Sequence, residues 1–278
     1  MTGSTTRASR PASRSPGPTG TSDPAGDCGE AAPLLKVRGL TRRFGGLVAL
    51  EGVDLDVEVG RLLVVMGPNG AGKSTLVDLL TGYLRPNEGG FRLDGVDLTF
   101  SPRWSLARSG ITRTFQVPRP LARFDVRENV RIAARCGSPP RPGRSAAERQ
   151  AAELLSETGL DGQASCYPAE LSLASLRRLE LARALAGRPR LLIADEPLGG
   201  LAGADIDAGI ALLRTLARPD RGVIVIEHAV RAVLQVADEL AFLHHGRLLR
   251  RGPAAEVLAD RAVVDAYVGA GLLRRGLL

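Results

Sequence analysis

Lysine is all but missing from this chain: of its 37 basic residues only Lys36 and Lys73 are lysines. Aromatic side chains are scarce as well, at 4% of the 278 residues. The arginines are dispersed and no basic run is interleaved with stacking rings, so the net charge of +7 does not describe a nucleic-acid surface. The three cysteines, Cys28, Cys136 and Cys166, are odd in number and far apart, without a C-x-x-C pair. That argues against a disulfide framework or a zinc site and fits a reducing cytosol. No apolar run reaches the roughly 18 residues needed to span a bilayer, and the N-terminus lacks the apolar region of a signal peptide. A membrane role is therefore expected only through partners.

What is present is a chain that is 44% hydrophobic, enough to bury a full core. Residues 1–32 are rich in Ser, Thr, Pro, Gly and Arg with almost no large apolar side chain, which predicts a disordered tail. One domain is expected over residues 33–270, with a short C-terminal tail at 271–278. Apolar and acidic residues alternate strictly over 53–59, a strand with one wet face, whereas 62–66 is apolar throughout, as in a parallel strand buried on both faces. A helix is predicted from the end of the glycine-rich stretch at 67–75 to about Leu84, stopping before Pro86, and an alternating strand over 91–94. Residues 118–186 show helical periodicity and no strand pattern, a helical insertion in which 136–143 is a linker. Strand and helix then alternate again through 191–194, 205–216, 223–226 and 229–236, followed by an antiparallel pair around Gly246. The class is α/β, a mainly parallel sheet covered on both sides, with ligands at the carboxyl ends of its strands.

The stretch Gly67-Pro68-Asn69-Gly70-Ala71-Gly72-Lys73-Ser74-Thr75 fits G-x-x-x-x-G-K-[ST] and lies between that apolar strand and the helix after it. By composition the pattern would arise by chance in roughly one such chain in a few hundred. One of only two lysines occupies the position where an ammonium is needed. Glycines let the backbone wrap round phosphates so that successive N–H groups and a helix N-terminus face negative charge. Lys73 then reaches the β- and γ-phosphates of a nucleotide, and the Ser74 hydroxyl can hold Mg²⁺.

Strand 191–194 ends in Asp195 and Glu196, two carboxylates where a structural strand would rarely carry them. Asp195 is the candidate for the Mg²⁺ sphere and Glu196 for the general base that polarises water. A helix N-cap near Pro197 is the structural alternative. His228 follows 223–226 in the same topological position, where it would lie over the γ-phosphate and could hold the catalytic geometry. His244 and His245, beside the late hairpin, read as structural. Gln116 ends the segment Thr112-Arg113-Thr114-Phe115-Gln116 and is unremarkable by spacing alone.

Together these motifs resemble the ATP-binding subunits of ABC transporters over about residues 34–270, and are most like the ATPases of branched-chain amino acid importers. The likeness is carried by Arg43-Phe44-Gly45-Gly46-Leu47, Gly110-Ile111-Thr112-Arg113-Thr114-Phe115-Gln116, Ile226-Glu227-His228 and Asp265-Ala266-Tyr267-Val268-Gly269. The resemblance implies a P-loop NTPase fold with a mainly parallel core sheet, an antiparallel β subdomain and an inserted helical subdomain. It implies that Phe44 stacks on adenine, that Gln116 is the Q-loop glutamine near metal and water, and that His228 is the switch histidine. It further implies ATP and Mg²⁺ as ligands, a second ATPase subunit, membrane permease subunits that dock near the segment after Gln116, and a substrate-binding protein reached indirectly. The location implied is the cytoplasmic face of the cell membrane, with no role for nucleic acid.

In that family each ATP is shared between one subunit's cradle and the other's signature loop, normally L-S-G-G-Q or L-A-Y-G-Q. Here the corresponding run is Leu171-Ser172-Leu173-Ala174-Ser175. Ser172 keeps the serine that would bond a γ-phosphate, but Ala174 replaces the glycine whose N–H approaches it, and a methyl there would be strained by a close approach or a positive φ. Ala202 stands where an acid or amide is usual. These departures favour a heterodimer over a homodimer. They also leave open a regulatory or hydrolysis-poor subunit, and urea or amides are an alternative cargo to amino acids.

Overall fold

The structure is a computed structural model that describes residues 33–137 and 139–269, the side chains of 268 and 269 excepted. The tails expected at 1–32 and 271–278 lie outside the described residues, as does residue 138 of the linker. In chain order the elements are β1 (Leu35–Phe44), β2 (Leu47–Val57), β3 (Leu62–Met66), α1 (Lys73–Leu80), β4 (Glu88–Leu93), β5 (Val96–Asp97), α2 (Arg103–Arg108) and β6 (Ile111–Arg113). Three helices follow, α3 (Val126–Cys136), α4 (Arg144–Glu157) and α5 (Leu173–Ala186), then β7 (Leu191–Asp195), α6 (Ala204–Arg214), β8 (Gly222–Ile226) and α7 (Val230–Val236). The described chain closes with β9 (Glu239–His244), β10 (Arg247–Gly252), α8 (Ala254–Ala259) and α9 (Arg261–Gly269).

Two sheets result. The smaller, in the order β2-β1-β4-β5, is antiparallel throughout. The larger runs β10-β9-β3-β8-β7-β6 and is parallel from β9 to β6. All five residues of β3, β7 and β8 are buried, which is why those strands read as unbroken apolar runs. Alternate residues of β3 feed different cores. Leu62, Val64 and Met66 join the cluster formed with α3 to α7, while Leu63 and Val65 join the cluster with α1 and the antiparallel sheet. The strand that carries the phosphate loop is thus clamped on both faces.

Four details differ from the sequence reading. α1 stops at Leu80, short of Leu84, because Thr81 and Gly82 (φ 71°) turn the chain, and the N–H groups of Tyr83 and Leu84 both donate to the Asp78 carbonyl. β4 starts at Glu88 rather than 91, since the glycines pair with β1 across a register shift at Arg38/Thr41. β6 is a sheet strand of three residues, too short for any period to show. The hairpin expected around Gly246 exists, but its first strand, β9, is also a parallel neighbour of β3 and belongs to the main sheet.

Candidate nucleotide site

Residues 67–72 leave the carboxyl end of β3 and enter α1 through three glycines at positive φ: Gly67 (151°), Gly70 (79°) and Gly72 (104°). At Gly72 a Cβ would stand 2.5 Å from the Ala49 carbonyl oxygen, so β2 packs on the loop where only hydrogen fits. The turn of the β9–β10 hairpin packs beside β2 against the same loop, the Gly246 N–H donating to the Ala71 carbonyl at 3.0 Å. Lys73 Nζ donates to the carbonyls of Gly67 (2.6 Å) and Pro68 (2.9 Å), which holds the ammonium over the loop. Burial pushes the Lys73 pKa down, while the negative charges of Glu196 and Asp195 oppose that shift.

A cavity of about 450 Å³ opens over the loop. Of the predicted site residues, Phe44, Asn69, Gly70, Ala71, Gly72, Lys73, Ser74, Thr75, Gln116 and Glu196 line it. Gly67 and Pro68 are buried beneath. Phe44, at the end of β1, is 42% exposed at the rim, with the Arg42 guanidinium 4.6 Å from its ring centre. A larger hollow of about 900 Å³ lies on the antiparallel sheet, but it has no glycine-rich loop opening a helix, and both its arginines are paired with acids, Arg38 with Asp56 and Arg92 with Asp97. The phosphate chemistry therefore belongs to the smaller cavity.

Asp195 ends β7 and is buried. Its N–H donates to Thr114 Oγ1 (3.1 Å) and its Oδ2 accepts from Arg113 Nη2 (3.2 Å). Burial pushes its carboxyl pKa up, and the Arg113 charge works against this. Glu196 is one of four described non-glycine residues at positive φ, at 46°. That conformation costs about 1–3 kcal/mol and turns the side chain away from Asp195 into the cavity. There Glu196 Oε2 accepts from Gln116 Nε2 at 2.8 Å. The structure thus joins two residues 80 positions apart that sequence spacing alone did not connect.

His228 is placed differently from the expectation. Its side chain is exposed and outside the residues lining the cavity, while its N–H donates to Glu227 Oε2 (3.0 Å) and its carbonyl accepts from Tyr267 Oη (3.2 Å). Ser172 is also outside that cavity. It is the N-cap of α5, exposed, with Oγ accepting from the Ser175 N–H at 3.2 Å. Ala174 lies inside α5 and is not among the positive-φ residues, so of the two sources of strain considered for its methyl group the backbone one does not arise. The rings of His244, which ends β9, and His245, in the hairpin turn, lie 4.1 Å apart and tilted by 54°.

Sequence reasoning passed over Arg113, Asp78 and Glu227. Arg113 bridges Asp78 and Asp195. Glu227, 1% exposed, accepts backbone N–H groups from Leu198, His228 and Ala229 and so fixes the ends of β7 and β8 together. For Glu227 the available signal was a charge directly after the apolar strand 223–226; Arg113 and Asp78 gave none.

A glycine-rich phosphate loop at the end of a parallel strand, with a carboxylate pair at the end of another strand of that sheet, defines a P-loop nucleotide hydrolase. The more particular assignment comes from likeness to known proteins. The family described as ABC transporter matches residues 50–199, and this chain belongs to it. The high-affinity branched-chain amino acid transport ATP-binding protein BraF of Pseudomonas aeruginosa is 36% identical over 250 residues, which cover 85% of this chain and 98% of that protein. Ribose import ATP-binding protein RbsA 1 of Rubrobacter xylanophilus is 36% identical over 222 residues, 79% of this chain but only 44% of that protein. Among solved structures, the ADP conformation of an ATP-binding cassette of an ABC transporter matches with a TM-score of 0.78 at 30% identity, over 86% of this chain and 100% of that one. The chain is an ATP hydrolase of the ABC type.

Proposed function

We propose that this chain binds Mg-ATP in the 67–75 cradle, pairs with a second ATPase subunit, and drives uptake of branched-chain or other amino acids through a membrane permease. The observation that carries the reading is the cavity in which Lys73, Ser74, Gln116 and Glu196 converge. The residues fit the ligand. Loop glycines leave no Cβ in the cradle, the exposed Ser74 hydroxyl stands in the first turn of α1, and Gln116 offers an amide oxygen beside it. Mg²⁺, when bound, neutralises charge on the β- and γ-phosphates, with Ser74, Gln116 and Asp195 as the residues to hold it. Phe44 offers its ring to the base. Glu196 takes the proton of the attacking water, and Gln116 orients that carboxylate. Lys73 exchanges its two loop carbonyls for phosphate oxygens.

Replacing Lys73 by Ala is expected to weaken nucleotide binding itself by about 2–3 kcal/mol, the loss of a charge-assisted bond pair. Equilibrium binding of a fluorescent ATP analogue checks this, and an unchanged affinity would count against the cradle. Among the described residues no helix is long and apolar enough to cross a membrane. Association with the cytoplasmic face of the membrane would run through the permease. A groove of about 580 Å³ beside Tyr83, Arg103, Trp104 and Phe115, with Trp104 63% exposed, is where a permease helix would dock. A substrate-binding protein would be reached only through that permease.

The altered signature supports a heterodimer in which this cradle, completed by a partner's intact loop, is the stronger hydrolytic site. A hydrolysis-poor regulatory subunit is the second reading, favoured by Leu173 standing exposed where a partner's phosphate would approach. Ribose, the cargo named for one relative, and urea or amides are the alternative cargoes. The test is purification from membranes: two permease chains and a different ATPase should accompany this one. A homodimer reconstituted with the permease that hydrolyses ATP at full transporter rate would overturn the heterodimer.

A further inference from the structure

The two side chains assigned above to hold Mg²⁺ on the protein's fixed elements, Ser74 and Asp195, stand on pieces of the chain far apart in sequence. Ser74 is in the first turn of α1 and Asp195 ends β7. Arg113, the last residue of β6, ties those two elements together. Its Nη1 donates to Asp78 Oδ1 at 2.6 Å and its Nη2 to Asp195 Oδ2 at 3.2 Å. Asp78 is four residues beyond Ser74 on α1, so the two share one helix face a turn apart. The Arg113 side chain is 13% exposed and that of Asp195 11%. The guanidinium carbon also lies over two aromatic rings, 5.2 Å from the ring centre of Tyr83 and 5.1 Å from that of Phe115. A planar fork gripped in this way fixes distance and angle between two carboxylates, which a single ammonium does not. It also engages only one oxygen of Asp195. Oδ1 accepts no hydrogen bond among the described residues, which leaves it for another partner.

We infer that Arg113 is a positioning residue for the metal side of the site: by spanning Asp78 and Asp195 it sets the separation between Ser74 and Asp195 that Mg²⁺ requires. The inference rests on the reading of Ser74 and Asp195 as Mg²⁺ residues. A role in neutralising the two carboxylates alone would change stability without changing the metal requirement, and that difference is measurable.

The experiment uses the full chain and trinitrophenyl-ATP fluorescence, first in EDTA and then across a Mg²⁺ titration. Arg113→Met should bind nucleotide in EDTA as the wild type does. The Mg²⁺ concentration giving half of the metal-dependent gain in affinity should rise by about 10- to 100-fold, the usual effect of losing the group that orients a metal ligand. Arg113→Lys, which keeps charge without the fork, should raise it too, and Asp78→Asn should raise it by a smaller factor. An unmoved Mg²⁺ midpoint in these variants overturns the inference, as does an equal loss of affinity in EDTA and in Mg²⁺. If Arg113→Met does not fold, as judged by circular dichroism, Asp78→Asn at its more exposed position decides by the same criterion. Asp195→Asn separates the two claims. If it leaves the midpoint in place, the metal reading of Asp195 has failed; if it shifts the midpoint while the Arg113 and Asp78 variants do not, only the present inference has.

Discussion

Replacing Glu196 by Gln should leave ATP binding at its wild-type level while hydrolysis falls by about 10²- to 10⁴-fold, the usual contribution of a positioned general base. The shape of the site predicts this split. Glu196 reaches the cavity because its backbone sits at φ 46°, held there by an N–H bond to the Ile226 carbonyl at 3.0 Å. Glutamine fills the same volume, and its amide oxygen can still accept from Gln116, so the local geometry survives. What it lacks is a carboxylate able to take a proton from water. Binding should not suffer, because the carboxylate is a negative charge close enough to influence Lys73, and its removal cannot weaken attraction for an anionic nucleotide. Phosphate release by the subunit reconstituted with its permease and partner ATPase measures turnover, and a fluorescent nucleotide measures affinity. A parallel loss of both would make Glu196 a binding group and remove it from the base role.

The parts of this arrangement that were legible in the sequence are those whose chemistry is local. Residues 67–75 form a contiguous cradle, and an all-apolar β3 announces burial on both faces before any coordinates are known. Asp195 and Glu196 stood out because charge at the end of a buried strand needs a reason. What could not be read depends on partners distant in the chain. Arg113 meets Asp78 across 35 positions and Asp195 across 82, and nothing in Thr112-Arg113-Thr114 encodes either neighbour. β9 illustrates the same limit. Its turn to β10 is local and was recognisable, but its parallel pairing with β3, Met66 opposite Phe242, crosses more than half the chain. Ala174 shows the converse: a substitution that looked strained against a family pattern sits in ordinary helix once the backbone is known.

That β3–β9 pairing makes Gly67→Ala the most damaging single methyl addition expected in the cradle. With Met66 beside Phe242, the next residue on each strand brings Gly67 against Leu243, and a Cβ on Gly67 would stand 2.1 Å from the Leu243 carbonyl oxygen. That neighbour is backbone of β9, a strand paired on both sides by β3 and β10, so neither side can yield without disturbing the ladder. The φ of 151° adds strain of its own for an L side chain. Displacing residue 67 would also move a carbonyl on which Lys73 Nζ rests, at 2.6 Å. The expected result is loss of nucleotide binding together with a destabilisation of about 3 kcal/mol or more, as for other severe backbone clashes. For a domain of this size that corresponds to a fall of roughly 6–12 °C in Tm. Gly70→Ala is the control within the same loop. Its φ is 79°, but a Cβ there meets no protein atom within 4 Å, so the stability of the nucleotide-free chain bears only the left-handed backbone cost of about 1–2 kcal/mol. Thermal melts and ATP-analogue affinities of the two variants should therefore diverge. If Gly67→Ala melts and binds like Gly70→Ala, the close approach of β9 to the phosphate loop is not what fixes the cradle's shape.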